Sequence, residues 1–300
     1  MIRPERKTIE NIMGSTESKF SVPPYQRSFD WGKGEIQELM DDLKDIMESK
    51  DKKLFLGNLI FDISDKKNYK IVDGQQRLTT LSLIIIALRE HAKKIGELTL
   101  AGELQRHITI NSAWDENQGN RISVSSNIRD VFEYISLRDW DEKFPEKIGN
   151  RSVKRQVNKI KPMFIYIKEE LAQYKNKQLI SFTKAIMGSY VIVIEVENTE
   201  EVFSIFERTN ARGLDLKIGD LLKNYIFSQG VEQYETKWEE IISNAETSLQ
   251  RMLKYFWVSR KGYIQQSQLY RNLRTYANTQ GINEFMKELH SFSKFYKNVQ

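Results

Sequence analysis

Apolar positions along the chain alternate between two periods, and the changes of period mark its elements. Ile36, Leu39, Leu43, Ile46 and Met47 recur three and four residues apart, which predicts an amphipathic helix over 35–49. Its opposite face carries Glu38, Asp41, Asp42, Asp45 and Glu48 and is expected to be solvated. Residues 54–63, LFLGNLIFDI, read as a strand in which Gly57 marks a bulge or a close approach to the backbone. The polar stretch 64–68 then turns the chain into a second strand, 69–72, to form a hairpin. Residues 78–88 are apolar on every side and long enough for a buried helix. The run 190–196, YVIVIEV, is β-branched and apolar and belongs in the middle of a sheet.

Elsewhere the pattern is less regular. Residues 5–20 begin as a helix and give way to a strand at Phe20-Ser21-Val22, ended by Pro23-Pro24. Residues 98–149 are charged and irregular and are expected to form a helical insertion extending to about 188, with helices at 154–174 and 177–187; Pro162 should kink or begin a helix. Thr199 can cap a helix over 202–206 that ends in the loop 209–214. A further helix is expected at 216–227, and the chain from 231 onward is helical and aromatic. The fold class is therefore α+β: a mixed sheet with packed helices in residues 1–230, followed by a mainly helical lobe in 231–300.

Composition narrows the function classes. No apolar run reaches bilayer-spanning length, and the N-terminus lacks the apolar core of a signal peptide, so the chain is expected in the cytoplasm and away from membranes. Without cysteine there is no disulfide, thiolate metal site or thiol nucleophile. A net charge of +5, from 46 basic and 41 acidic residues, permits a nucleic-acid partner without requiring one.

The chemistry concentrates at Asp73-Gly74-Gln75-Gln76-Arg77, the turn between the second hairpin strand and the buried helix. Such a turn directs backbone N–H groups and the positive end of the helix dipole at one place, where an anion such as a phosphate is favoured. Arg77 adds a planar fork of donors, and Thr79 and Thr80 add hydroxyls. Against this stands an ordinary Asp-Gly turn with an arginine facing water. A second polar and aromatic loop, 25–31, holds Arg27 beside Phe29 and Trp31; buried aromatics pinning a loop explain it more simply than a base platform. His91, His107 and His290 are far apart in sequence, and Glu195 and Glu197 lack a nearby lysine, so a nuclease centre in this chain is not expected. No Gly precedes Lys-Ser or Lys-Thr, which removes a P-loop.

Four motifs occur in order: Val22-Pro23-Pro24-Tyr25-Gln26-Arg27 with Trp31; Phe55-Leu56-Gly57-Asn58-Leu59; Ile71 to Leu81 around the Asp-Gly-Gln-Gln-Arg run; and Phe206 to Gly213 with Asp220-Leu221-Leu222-Lys223. Together they resemble the N-terminal ParB/sulfiredoxin-like domain of GmrSD-type restriction systems, which act against phage carrying modified DNA. The resemblance implies a ParB/sulfiredoxin-like sheet, binding of a nucleoside triphosphate with Mg²⁺, and hydrolysis that controls a nuclease. Asp73, Gln75 and Gln76 would be catalytic. Tyr25, Gln26, Arg27, Gly74, Arg77, Thr79, Asn210 and Gly213 would bind nucleotide, with Asp73 the one candidate for the metal. Implied partners are modified DNA and an HNH-type nuclease domain or chain, and a homo-oligomer is compatible. The alternative is a DNA-binding or assembly module of the same kind of system that does not hydrolyse nucleotide. Sulfiredoxin chemistry is excluded, because it needs a cysteine.

Overall fold

The computed structural model describes residues 4–15, 19–24, 26–47, 49, 53–110, 119–140, 151–197, 218–228, 234–245 and 248–299. Two compact units are present, Met1–Pro23 with Ser28–Asn198, and Pro24–Arg27 with Thr199–Gln300. The first contains β1 (Glu5–Thr8), α1 (Ile9–Met13), β2 (Lys19–Ser21), α2 (Lys33–Met47), β3 (Phe55–Asp62), β4 (Asn68–Asp73), α3 (Gln75–Lys94) and α4 (Leu98–Ile108). It continues through β5 (Thr109–Ile110), β6 (Gly119–Asn120), β7 (Ile122–Ser123), α5 (Arg129–Leu137), α6 (Arg151–Ala172), α7 (Asn176–Gly188) and β8 (Tyr190–Val196).

Six strands form a mixed sheet in the order β1-β8-β3-β4-β2-β7, so the α+β class expected from the pattern is the one observed. β3 and β4 pair antiparallel, as the hairpin reading required, while β8 runs parallel to β3 from inside the sheet. Residues 5–8 depart from expectation: they form an edge strand antiparallel to β8, and only Ile9–Met13 is helical. Strand pairing overrides the weak helical signal of Glu-Arg-Lys-Thr. Lys7 Nζ meets Glu195 at 2.8 Å across that edge, and the Arg6 guanidinium lies 3.9 Å from the Tyr190 ring centre. The 98–149 stretch is less purely helical than expected, since β7 extends the main sheet beside β2 and β5 pairs with β6. Two-residue strands carry no period to read. Pro162 lies within α6.

The core of this unit is built around α3, which is buried from Leu78 through Glu90 on every side. Its charged end is secured by backbone carbonyls. Arg89, fully buried, donates from Nη1 to Ser136 O at 2.5 Å and Gln105 Oε1 at 2.7 Å, and from Nη2 to Ile135 O at 2.8 Å and Arg138 O at 2.9 Å. Three of these acceptors are backbone carbonyls at the end of α5, where a cation is also favoured by the helix dipole. Arg121 serves α4 in the same way, donating from Nη2 to Arg106 O at 2.8 Å, from Nε to His107 O at 3.2 Å, and from Nη1 to Ser15 O. Burial pushes its pKa down to about 10, so it stays charged at neutral pH.

The second unit is helical where described: α8 (Ile218–Ser228), α9 (Glu235–Ala245), α10 (Leu249–Lys261), α11 (Gln266–Gln280) and α12 (Ile282–Val299). Trp238, Phe256, Leu269, Phe285 and Leu289 fill its separate core. No helix among the described residues is long and apolar enough to cross a membrane.

Replacing Arg121 by alanine strands three carbonyls, two of them at the end of α4. The expected loss is roughly 2–4 kcal/mol of stability, measured by urea unfolding, with Arg121→Lys recovering only part because ammonium lacks the fork.

Candidate functional site

The turn singled out by the sequence forms where β4 delivers its last residue, Asp73, to α3. Gly74, the N-cap, has φ +92°, a left-handed conformation that L side chains rarely adopt. Space at this point is as restrictive as conformation. A Cβ added to Gly74 would lie 2.0 Å from Leu59 Cδ2, and one added to Gly57, where φ is +89°, would lie 2.2 Å from Arg77 Nη1. Each glycine is thus demanded by a side chain of the other motif, and the β3 register shifts between Phe55 and Asn58 at the bulge foreseen for Gly57.

Arg77 does not face water. Its side chain is 23% exposed, donates from Nη1 to Leu56 O and from Nη2 to Asn58 O at 2.7 Å, and so grips the two carbonyls flanking Gly57. Asp73 Oδ2 is 4.0 Å from Nη2. Burial lowers the Arg77 pKa, and the Asp73 charge opposes that shift.

Gln76 is buried and committed to the 28–31 loop. Its Oε1 accepts from Asp30 N at 2.9 Å and Trp31 N at 3.1 Å, and its Nε2 donates to Ser28 O at 3.1 Å. The loop is held from its other side by Asn127 and Ser125. Phe29 N donates to Ser125 Oγ and Asn127 Oδ1, and Asn127 Nδ2 donates to Phe29 O. Phe29 is buried in the core and Trp31 packs against it, which is the simpler of the two readings of these aromatics. Ser125 and Asn127 escaped the sequence reading because nothing local links them to a loop nearly one hundred residues away.

At the turn itself, Asp73 Oδ1 accepts from Gly74 N at 2.8 Å, and the carboxylate is partly exposed. Gly74 as N-cap has no side chain to cap the 20-residue helix α3, whose start carries the positive end of the helix dipole. Gln75, Thr79 and Thr80 are buried. Among the described residues no group of three or more His, Asp or Glu side chains could hold a metal. Asp73 could therefore contribute a single carboxylate to a Mg²⁺ carried largely by phosphate oxygens, which is how that ion is usually held.

In the second unit Gln26 is buried, and its carbonyl accepts from Lys223 Nζ at 2.9 Å. Burial lowers the Lys223 pKa against the raising effect of Asp220, Glu235 and Glu239. The Asp220 to Lys223 motif and the Gln26-Arg27 motif thus belong to one packed assembly. Tyr25, Asn210 and Gly213 lie outside the described residues.

The sequence matches the family model described as GmrSD restriction endonuclease, N-terminal domain, over residues 9–227. It is also similar to the probable translation initiation factor IF-2 of Haloarcula marismortui, 23% identical over 155 residues that cover 47% of this chain and 26% of that protein. The chain spans about a quarter of the length of that curated relative.

A double-mutant cycle tests the interlocked motifs. Gly57→Ala alone should cost roughly 2 kcal/mol or more from strain and collision. In an Arg77→Ala background the collision is gone, so the two losses should fall short of additivity by about 0.5–2 kcal/mol in thermal or urea unfolding. Additive losses would show that arginine and glycine are not in contact. For the second unit, Lys223→Met should speed amide hydrogen exchange at residues 26 and 27.

Proposed function

The chain belongs to the family of GmrSD restriction endonuclease N-terminal domains, and from that premise we propose that it binds a nucleoside triphosphate at the Asp73–Arg77 turn and hydrolyses it to control a DNA-cutting nuclease domain or partner. The observation that carries this reading is the start of α3. A left-handed glycine, which has no side chain of its own to cap with, opens a long helix at the end of a sheet strand. That arrangement suits an anionic phosphate group.

The residues divide the work differently from a simple cluster of phosphate ligands. The backbone after Gly74 would hold phosphate oxygens. Asp73 would hold Mg²⁺ together with those oxygens, and Gln75 would orient the attacking water. The bound metal would supply charge neutralisation as the terminal phosphate departs. Arg77 and Gln76 would act by keeping Gly57 and the 28–31 loop in place, since their donors and acceptors are engaged there. The roles of Tyr25, Gln26, Arg27, Thr79, Asn210 and Gly213 rest on the resemblance alone. Modified DNA as the signal, and a homo-oligomer as the working state, are likewise proposals of the family reading.

The Arg77 fork is engaged with carbonyls whichever reading holds, and the rival reading is a DNA-binding or assembly module without turnover. The two separate cleanly. Phosphate release and thermal stabilisation are measured with ATP, GTP, CTP and UTP in Mg²⁺. At a concentration one hundred times Kd, a bound nucleotide should add about 2.7 kcal/mol of stability. Asp73→Asn should lower phosphate release at least tenfold while changing the unliganded melting temperature little. Absence of both stabilisation and turnover with all four nucleotides would remove the proposal and leave the rival standing.

A further inference from the structure

Charge is distributed very unevenly along the sequence. Residues 248–299 carry nine lysines and arginines against two glutamates, a net +7, whereas the whole chain is only +5. Everything outside that segment is therefore slightly acidic, and the basic character of the protein resides in α10, α11 and α12.

Along α10 the positions that do not enter the core form a stripe. Arg251, Lys254 or Tyr255, Val258 and Lys261 recur at helical spacing on one face, while Met252, Leu253 and Phe256 are buried on the other side. Tyr255 is 51% exposed, and Tyr263, just past the helix end at Gly262, is 84% exposed.

Packed rings connect α10 to α12. Tyr255 lies 6.0 Å from the buried Tyr296, Tyr296 lies 6.4 Å from Phe292, and Phe292 lies 6.5 Å from Phe295, which is itself 64% exposed. Tyr255 and Phe295 are thus the exposed ends of one ring cluster that joins the basic stripe of α10 to α12. The two glutamates are already matched inside the unit, Glu288 to Arg260 at 3.1 Å and Glu284 to Lys287 at 3.3 Å, so the acidic side chains of the segment do not offset the stripe.

We propose that this α10–α12 face binds a single strand of DNA, with Arg251 and Lys254 at its phosphates and Tyr255 and Phe295 against its unpaired bases. Charge complementarity selects the polyanion. The exposed rings select a strand with free base faces, because a duplex keeps its bases stacked on one another and offers only phosphates to such a surface. The inference does not depend on the nucleotide reading, since it uses no residue of the Asp73–Arg77 turn.

The test uses the full chain and fluorescence anisotropy with a labelled 20-nucleotide strand, and the same sequence as a duplex, at several salt concentrations. The expected result is tighter binding of the single strand, with affinity falling linearly on a logarithmic salt scale. Arg251→Glu with Lys254→Glu should weaken it at least tenfold. Tyr255→Ala should weaken it about fivefold or more for the single strand and leave the duplex unaffected. Lys237→Glu, an exposed charge reversal on α9, is the control and should change affinity less than threefold. Circular dichroism melting checks that each variant is folded. Equal binding of strand and duplex, insensitivity to the α10 reversal beyond that of the control, or self-association through this face without affinity for DNA would each overturn the proposal.

Discussion

Buried guanidinium groups resting on backbone carbonyls hold the first unit together. Arg89 and Arg121 close the ends of α5 and α4, and Arg77 spans the two carbonyls beside the Gly57 bulge. Carboxylates play a minor part, with Asp139 3.7 Å from Arg89 and Asp73 4.0 Å from Arg77. The planar fork makes this workable. One side chain engages two or three carbonyls at once, and a charged donor makes each bond stronger than a neutral one. Desolvation opposes the charge at all three positions.

That constraint shapes the candidate site. Gln76 reaches back to the 28–31 loop and Arg77 to β3, so two of the five residues in the Asp-Gly-Gln-Gln-Arg run position their surroundings. What remains for a ligand is backbone polarity at the start of α3, the partly exposed Asp73 carboxylate and the geometry imposed by Gly74. A site of this kind depends more on the fixed direction of peptide groups than on the charge of a side chain. Preorganised dipoles of that sort cost nothing further when charge develops on a bound group.

The hairpin, the interior strand β8, the buried helix α3 and the bulge at Gly57 were legible because each has a period or a residue type that only one backbone state accommodates. Glu5–Thr8 was not, since its strand state comes from pairing with β8 and from the Lys7–Glu195 bridge. β5, β6 and β7 were too short to show alternation. The turn was legible as a polar cluster, but the engagements of Gln76 and Arg77 were not, because their partners lie 48 and 21 residues away in sequence. Arg89 was not legible either, since a charge that follows an apolar run ordinarily marks its exposed end, and its burial comes from carbonyls of α5 that lie 46 to 49 residues away.

The reciprocal fit of Gly57 with Arg77 and of Gly74 with Leu59 has a historical implication. A larger residue at either glycine collides with the companion segment, and altering the companion first leaves carbonyls or a cavity exposed. Drift at one place is therefore blocked unless the other changes in the same lineage. The two stretches of sequence, 56–59 and 73–77, should consequently be inherited as one unit, whatever becomes of the loops around them.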